Sequence, residues 1–308
     1  DWLPLFMQLY AADTDPDKRM DFFSYHNYRS KAAPAGAENH KSMIRDNLLI
    51  PYGAGSAKIF VTEYGLFPGP ATGTVGHGPN ETDDILTQAA GLAAIGYYYI
   101  KSGIDMTMHW ALDHPSNVRK DMYVDGQDGV PTPYYNMIKM QRMLKENRTG
   151  TTSTALNSDG IGVHALSTKD STGMAIMAVN YQWISSALTQ SDYDVTMNVN
   201  DLPSEFFGKS IKVERYLIDD THSNYKSGLA NAELQKVEEY VLSPRTSVTQ
   251  SFYLDINAMS MIVLTPVHQL EAEDGTTMIS SGDSELDVTE TGSDNGAFNK
   301  FTGNASGD

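Results

Sequence analysis

The stretch Lys58-Ile59-Phe60-Val61-Thr62-Glu63-Tyr64-Gly65 decides how this chain is read, because an apolar run ends on one carboxylate and then a turn. A run of this kind reads as a strand with an acid at its C-terminal tip, the place where parallel α/β barrels hold their catalytic groups. Taken alone it is equally a strand whose last residue faces water. Two further segments decide between these readings. About 37 residues upstream stands Met20-Asp21-Phe22-Phe23-Ser24-Tyr25-His26-Asn27-Tyr28, and about 47 downstream stands Gly103-Ile104-Asp105-Met106-Thr107-Met108-His109-Trp110. Each is a short apolar strand ending in polar and aromatic residues, at the spacing of βα units.

The segments between these strands read as helices. Residues 1 to 12 carry Trp2, Leu5, Phe6, Leu9 and Tyr10 at helical spacing, and Asp13-Thr14-Asp15-Pro16 breaks the pattern. Residues 38 to 50 look helical. After a Gly/Pro-rich loop from Leu66 to Pro79, Thr82 can cap a helix that Gly103 stops. A polar loop from Leu112 to Pro133 precedes a last amphipathic helix with Met137, Ile138, Met140, Met143 and Leu144. From Thr151 to Val267 the pattern changes to short β-branched or alternating runs, including Gly173 to Asn180, Tyr193 to Val199, Ile211 to Ile218 and Ser260 to Thr265. These predict an antiparallel β-sandwich.

A closed parallel barrel needs eight strands and about 250 residues, and only three strand tips precede the β-rich region. The chain therefore reads as a fragment: the C-terminal part of a (β/α)8 TIM barrel over residues 1–148, a β-sandwich over 149–268, and a Gly/Ser/Thr/Asp-rich segment over 269–308 that is a linker or the start of another β module.

Composition bounds the partners. The 308 residues are 40% apolar and 20% charged, an ordinary globular balance, and 22 basic against 39 acidic residues leave a net charge of -17. That charge opposes binding to nucleic acid and to anionic membranes. The longest apolar stretch, Ala89 to Ile100, is too short and too polar to span a bilayer. With no cysteine, disulfides and thiolate metal sites are excluded. The opening Asp1-Trp2 has neither a basic start nor an initiating Met, which reads as a true N-terminus lying upstream.

Asp21 to Tyr28, Thr62-Glu63 and Met108-His109-Trp110 resemble, in order and spacing, the sixth, seventh and eighth barrel strands of clan A glycoside hydrolases, particularly family 39, which includes β-xylosidases and α-L-iduronidase. Pro131-Thr132-Pro133-Tyr134-Tyr135-Asn136 is similar to the opening of that family's last barrel helix, and Tyr216-Leu217-Ile218-Asp219-Asp220-Thr221-His222-Ser223-Asn224 to a segment of its β-sandwich. Family 86, with β-agarases and β-porphyranases, shares this plan. Glu271-Ala272-Glu273-Asp274 resembles the first strand of a family 6 carbohydrate-binding module.

The resemblance implies a retaining enzyme that cleaves β-glycosidic bonds by double displacement, β-xylosidase-like or β-agarase-like, with Glu63 as nucleophile. Its acid/base partner belongs to an Asn-Glu pair on a fourth strand that this chain does not contain; Asp105 and Asp113 do not occupy that place. His26 is expected to bond the nucleophile or a sugar hydroxyl, the alternative being a histidine satisfied in the core. Tyr28 and Tyr64 join it as substrate contacts. Trp110 is a platform for a pyranose ring or a core tryptophan, and because His109 alternates with it, one of the two faces away from the lumen.

His77 reads as a solvated loop residue. Asp219, His222 and Asn224 are assigned to packing rather than to catalysis or metal. No histidine spacing suggests zinc, and no cofactor is expected beyond a structural calcium at Glu271 and Glu273 should the tail be a binding module. The implied partner is carbohydrate, and the implied location secreted or periplasmic. The reading from another class is a non-catalytic carbohydrate-binding protein on a degenerate glycosidase scaffold.

Overall fold

The computed structural model describes residues 2–30, 33–67, 85–109, 122–124, 126–183, 191–271 and 277–280. Helix α1 (Trp2–Ala12) leads into strand β1 (Phe22–Ser30), a short helix α2 (His40–Ile44) that runs on as a π-turn over Arg45–Leu49, strand β2 (Lys58–Phe67), helix α3 (Ile85–Ser102), strand β3 (Met106–His109) and helix α4 (Pro133–Arg142). The three strands form one parallel sheet in the order β1-β2-β3. Parallel neighbours joined through helices are the βα repeat expected from the spacing of the strand tips.

Strands β4 (Asn147–Arg148), β5 (Gly162–Asp170), β6 (Gly173–Tyr181), β7 (Tyr193–Val199), β8 (Ser210–Ile218), β9 (Gln235–Leu242), β10 (Val248–Leu254), β11 (Met259–Glu271) and β12 (Thr277–Ser280) follow. They make a seven-stranded antiparallel sheet, β4-β5-β6-β11-β8-β9 with β12 on β11, and a two-stranded antiparallel ribbon of β7 and β10. The expected strands over 173–180, 193–199, 211–218 and 260–265 are β6, β7, β8 and the first half of β11. Strand β11 runs without a break past 268, where the sequence suggested a boundary.

Local chemistry explains the helices that matter. At α4, Thr132 takes an extended backbone, its hydroxyl accepts the Tyr135 N–H at 3.3 Å, and Pro133 follows at the first helical position. At the end of α3, Gly103 adopts φ +72° while its N–H and that of Ile104 return to the carbonyls of Ile100 and Tyr99. Helix α1 forms where its periodicity predicted, but only Met7 on it is buried; the expected apolar face of Trp2, Leu5, Phe6 and Leu9 is exposed.

Helix α3 is buried all round, from Ile85 through Tyr99 with only small gaps, because it lies between two sheets. One core cluster joins Val61 and Tyr64 of β2, the inner residues of α3 and α4, and Ala175, Met177, Val179 and Met261 of the large antiparallel sheet. The other face of that sheet packs through Met174, Ile176, Ala178, Ile262 and Leu264 against Val199, Phe252 and Leu254 of the ribbon. Strand β6 is consequently buried at all nine positions. A strand covered on both faces loses the alternation that marks a half-exposed one.

Candidate active site

The site begins with an irregularity in β2. Strand β1 pairs in regular parallel register up to Tyr25↔Val61 and then resumes at His26↔Glu63, so that Thr62 is an extra residue. Before this bulge, Ile59 and Val61 point toward the helices and are fully buried, while Phe60 lies on the opposite face and stacks on Phe22 at 5.1 Å. After it, Tyr64 takes the helix-facing position. The bulge thus inverts the alternation and turns Glu63 onto the face away from the helices, which an unbroken strand would have denied it.

On β1 the same face carries His26 and Tyr28. The Tyr28 hydroxyl donates to Glu63 Oε1, and His26 Nδ1 lies 3.1 Å from Oε2. Both carboxylate oxygens are therefore engaged by neighbours from one adjacent strand. The His26 side chain is 61% exposed and that of Glu63 19%, so the carboxylate is shielded while its neighbour faces open space. Burial, then the hydrogen bond and the negative charge of Glu63, push the Tyr28 phenol well above its ordinary pKa, which keeps it a proton donor at neutral pH.

Behind the sheet a second set of side chains fixes these strands. Asn27, between His26 and Tyr28, points the other way and donates through Nδ2 to the Tyr99 hydroxyl of α3 at 2.6 Å. Tyr64 packs edge-on against Tyr99 at 5.4 Å and against His109 at 5.7 Å, and His109 lies 4.1 Å from the Tyr134 ring of α4. Burial pushes the Tyr64 phenol up to about 12, against a hydrogen bond with Thr107 that lowers it.

Of the residues expected at the site, His26, Tyr28 and Glu63 come together. Tyr64 and His109 do not: both face the helices, and their expected contact with substrate is corrected to a packing role. The reason is alternation, since a neighbour of Glu63 along a strand points the opposite way. Trp110, His77 and Asp113 lie outside the described residues, as does Glu273. Asp105 accepts the Ile59 N–H at 2.8 Å and sits 3.5 Å from Lys41 Nζ. Burial alone would raise its pKa, but these two partners outweigh it and hold the carboxyl below its usual range. The sequence reading passed over Thr62, Asn27 and Tyr99. For Asn27 the signal was present in the alternation of Tyr25-His26-Asn27-Tyr28; for Thr62 there was none.

Asp219, His222 and Asn224 form a closed turn. The Asp219 carboxylate accepts the backbone N–H of Thr221 and His222, at 2.7 and 2.6 Å, and Asn224 Nδ2 donates to the Asp219 carbonyl at 3.2 Å. Among the described residues no group of three or more His, Cys, Asp or Glu is arranged to hold a metal ion, and no helix is long and apolar enough to cross a membrane.

The arrangement of a β1-β2-β3 parallel sheet followed by a large antiparallel sheet superposes on solved structures. A GH39 enzyme from Xanthomonas axonopodis pv. citri superposes with a TM-score of 0.64 at 13% identity, over 87% of this chain and 58% of that one. The chain has the fold of a GH39-like glycoside hydrolase of clan A. A glucosidase from Croceicoccus marinus superposes equally well, TM-score 0.64 at 17% identity, over 86% of this chain and 57% of that one. A monomeric beta-xylosidase from Caulobacter crescentus CB15 gives 0.63 at 12% identity, over 86% and 59%. This chain thus spans less than two thirds of the GH39-like structures that it matches. No family model matches the sequence, and no curated protein does either.

Proposed function

We propose that this chain is the C-terminal part of a retaining glycoside hydrolase acting on β-linked sugars, with Glu63 as its nucleophile. The observation that carries the reading is the seating of Glu63: a carboxylate in the second half of β2, turned off the helix face by a bulge, held by Tyr28 at one oxygen and by His26 at the other. A carboxylate so fixed attacks from a defined position, with one lone pair kept for the anomeric carbon. The phenol and imidazole contacts keep it aimed.

In such an enzyme a second carboxyl group, about 5 to 5.5 Å from the first, protonates the leaving oxygen and then activates water. We assign that group to the Asn-Glu pair of another barrel strand outside this chain, so the 308 residues alone are inactive and the whole enzyme completes the site. The resemblance of residues 1–148 to the last barrel strands and of 149–268 to the family's β-sandwich supports the corresponding division of the chain. The structural neighbours named as a beta-xylosidase and a glucosidase favour a β-xylosidase-like over a β-agarase-like substrate. An acidic composition is consistent with a secreted or periplasmic enzyme.

The deciding experiment is trapping of the full-length enzyme with 2-fluoroxyloside and 2-fluoroglucoside, followed by peptide mass spectrometry. A covalent sugar on the peptide containing Glu63 is expected. A label on any other residue overturns the assignment.

A further inference from the structure

Tyr99 lies in the last turn of α3 and is only 1% exposed. Its backbone is tied down, since the Tyr99 carbonyl accepts the Ile104 N–H at 3.1 Å and the Ser102 hydroxyl at 2.9 Å. From this fixed base the side chain meets two strands at once. The Tyr99 hydroxyl accepts Asn27 Nδ2 from β1 at 2.6 Å, and its ring stands 5.4 Å from that of Tyr64 on β2, at 89° to it. Asn27 and Tyr64 are register partners, the first pair beyond His26↔Glu63.

One side chain thus touches both strands at the first step after the bulge, where the phase of β2 is chosen. With Thr62 drawn back into register, Tyr64 would turn to the open face and Glu63 to the helices. Its carboxylate would then stand against the buried Tyr99 ring, on the opposite face from Tyr28 and His26, a costly burial of charge. A phenylalanine would supply the ring contact to Tyr64. The hydroxyl adds a bond that fixes β1 as well, at a place where an unmet amide is penalised, because Asn27 is buried.

We infer that Tyr99 is a positioning residue for Glu63. Its ring fixes β2 and its hydroxyl fixes β1 in the phase that leaves Glu63, His26 and Tyr28 together on the open face. It acts from the other side of the sheet, through the strands. The consequence for rate rests on the proposed role of Glu63; the consequence for geometry does not.

The test has two arms. In the 308-residue chain with nitrogen-labelled histidine, the His26 ring-nitrogen signals are read by NMR at one pH, and Glu63→Gln marks the position they take without the carboxylate. Tyr99→Phe is expected to move them toward that position. Tyr181→Phe, which removes a phenol buried in the same core cluster, is expected to leave them in place. In the full-length enzyme Tyr99→Phe should lower kcat roughly 10- to 100-fold, as a displacement of about 1 Å does, with KM within about twofold of the parent. Unmoved His26 signals, equal movement in Tyr181→Phe, or an unchanged kcat overturns the proposal. A parent enzyme that cleaves no glycoside sinks the functional reading instead, and the His26 signals still decide whether Tyr99 sets the phase.

Discussion

Asn136, on the first turn of α4, donates through its side-chain amide to the Ser223 carbonyl at 2.9 Å, across 87 residues of sequence. The same amide reaches the Ala232 carbonyl at 2.6 Å, and both Asn136 and Ser223 are fully buried. Two sequence motifs that looked independent, one opening the last helix of the α/β part and one following β8, are therefore a single clasp. Ser223 holds φ +54° to present its carbonyl, a conformation unusual for a residue with a side chain.

Asn136→Ala leaves two buried carbonyls without that donor, and we expect a loss of about 2 to 4 kcal/mol of stability, from about 1 to 2 per unmet bond. Urea unfolding followed by circular dichroism measures it. A midpoint unchanged from the parent chain would show that the clasp contributes nothing.

Tyr28→Phe removes a hydrogen bond to the charged Glu63 carboxylate. Bonds to charged groups are worth about 1.5 to 3 kcal/mol, so kcat of the full-length enzyme on aryl β-glycosides is expected to fall roughly 10- to 100-fold. Unaltered kcat would remove Tyr28 from the positioning of Glu63.

The two faces of the parallel sheet predict opposite phenotypes. Tyr64→Ala empties a fully enclosed site against Tyr99 and His109 and should cost about 3 to 5 kcal/mol, as for other large buried aromatics. His26→Ala, at a largely exposed side chain, should leave thermal stability nearly unchanged while kcat/KM falls. Paired melting curves and steady-state kinetics separate the two; a His26 variant that melts early and a Tyr64 variant that does not would reverse the assignment.

His164, on β5, is boxed edge-on between Tyr97 and Tyr98 of α3 at 5.3 and 5.6 Å. Burial pushes its pKa down to about 4, against smaller opposing contributions from the backbone at Val179 and Gly162. Between about 4 and the ordinary value of 6.5 the unfolded chain binds a proton there and the folded chain does not. Stability contributed by the neutral ring is thus present above pH 6.5 and lost as pH falls toward 4, by about 3 kcal/mol in all. Urea midpoints measured from pH 7 to 4 should drop less in His164→Leu than in the parent. Parallel curves would show that His164 does not report the acid transition.

The α3 helix shows where sequence reading succeeds and where it stops. Its stop at Gly103 is legible, because glycine chemistry acts within a few residues, while the expected Thr82 cap lies outside the described residues. That both of its sides are buried is not, because the sheets that cover it come from strands far ahead and far behind in the chain. Strand β9 escaped the reading for a related reason: on Gln235–Leu242, Lys236 and Glu239 meet Glu214 and Lys212 of β8 on one face, and Glu238 meets Arg215 on the other. Cross-strand charge pairs replace the apolar alternation that marks a strand.

By itself the sequence determined the order of elements, the parallel and antiparallel halves, and the presence of Glu63, His26 and Tyr28 on neighbouring strands, because periodicity and turn chemistry are local consequences of backbone geometry. The expected tip at Glu63 is corrected, since β1 and β2 stay paired as far as Ser30 and Phe67. Only the tertiary structure decided that Thr62 is squeezed out of register, so that Glu63 shares a face with His26 and Tyr28 while Tyr64 and His109 turn to the helices. The phase of a strand depends on what its neighbour hydrogen-bonds, and that neighbour lies 37 residues away for Glu63 and His26.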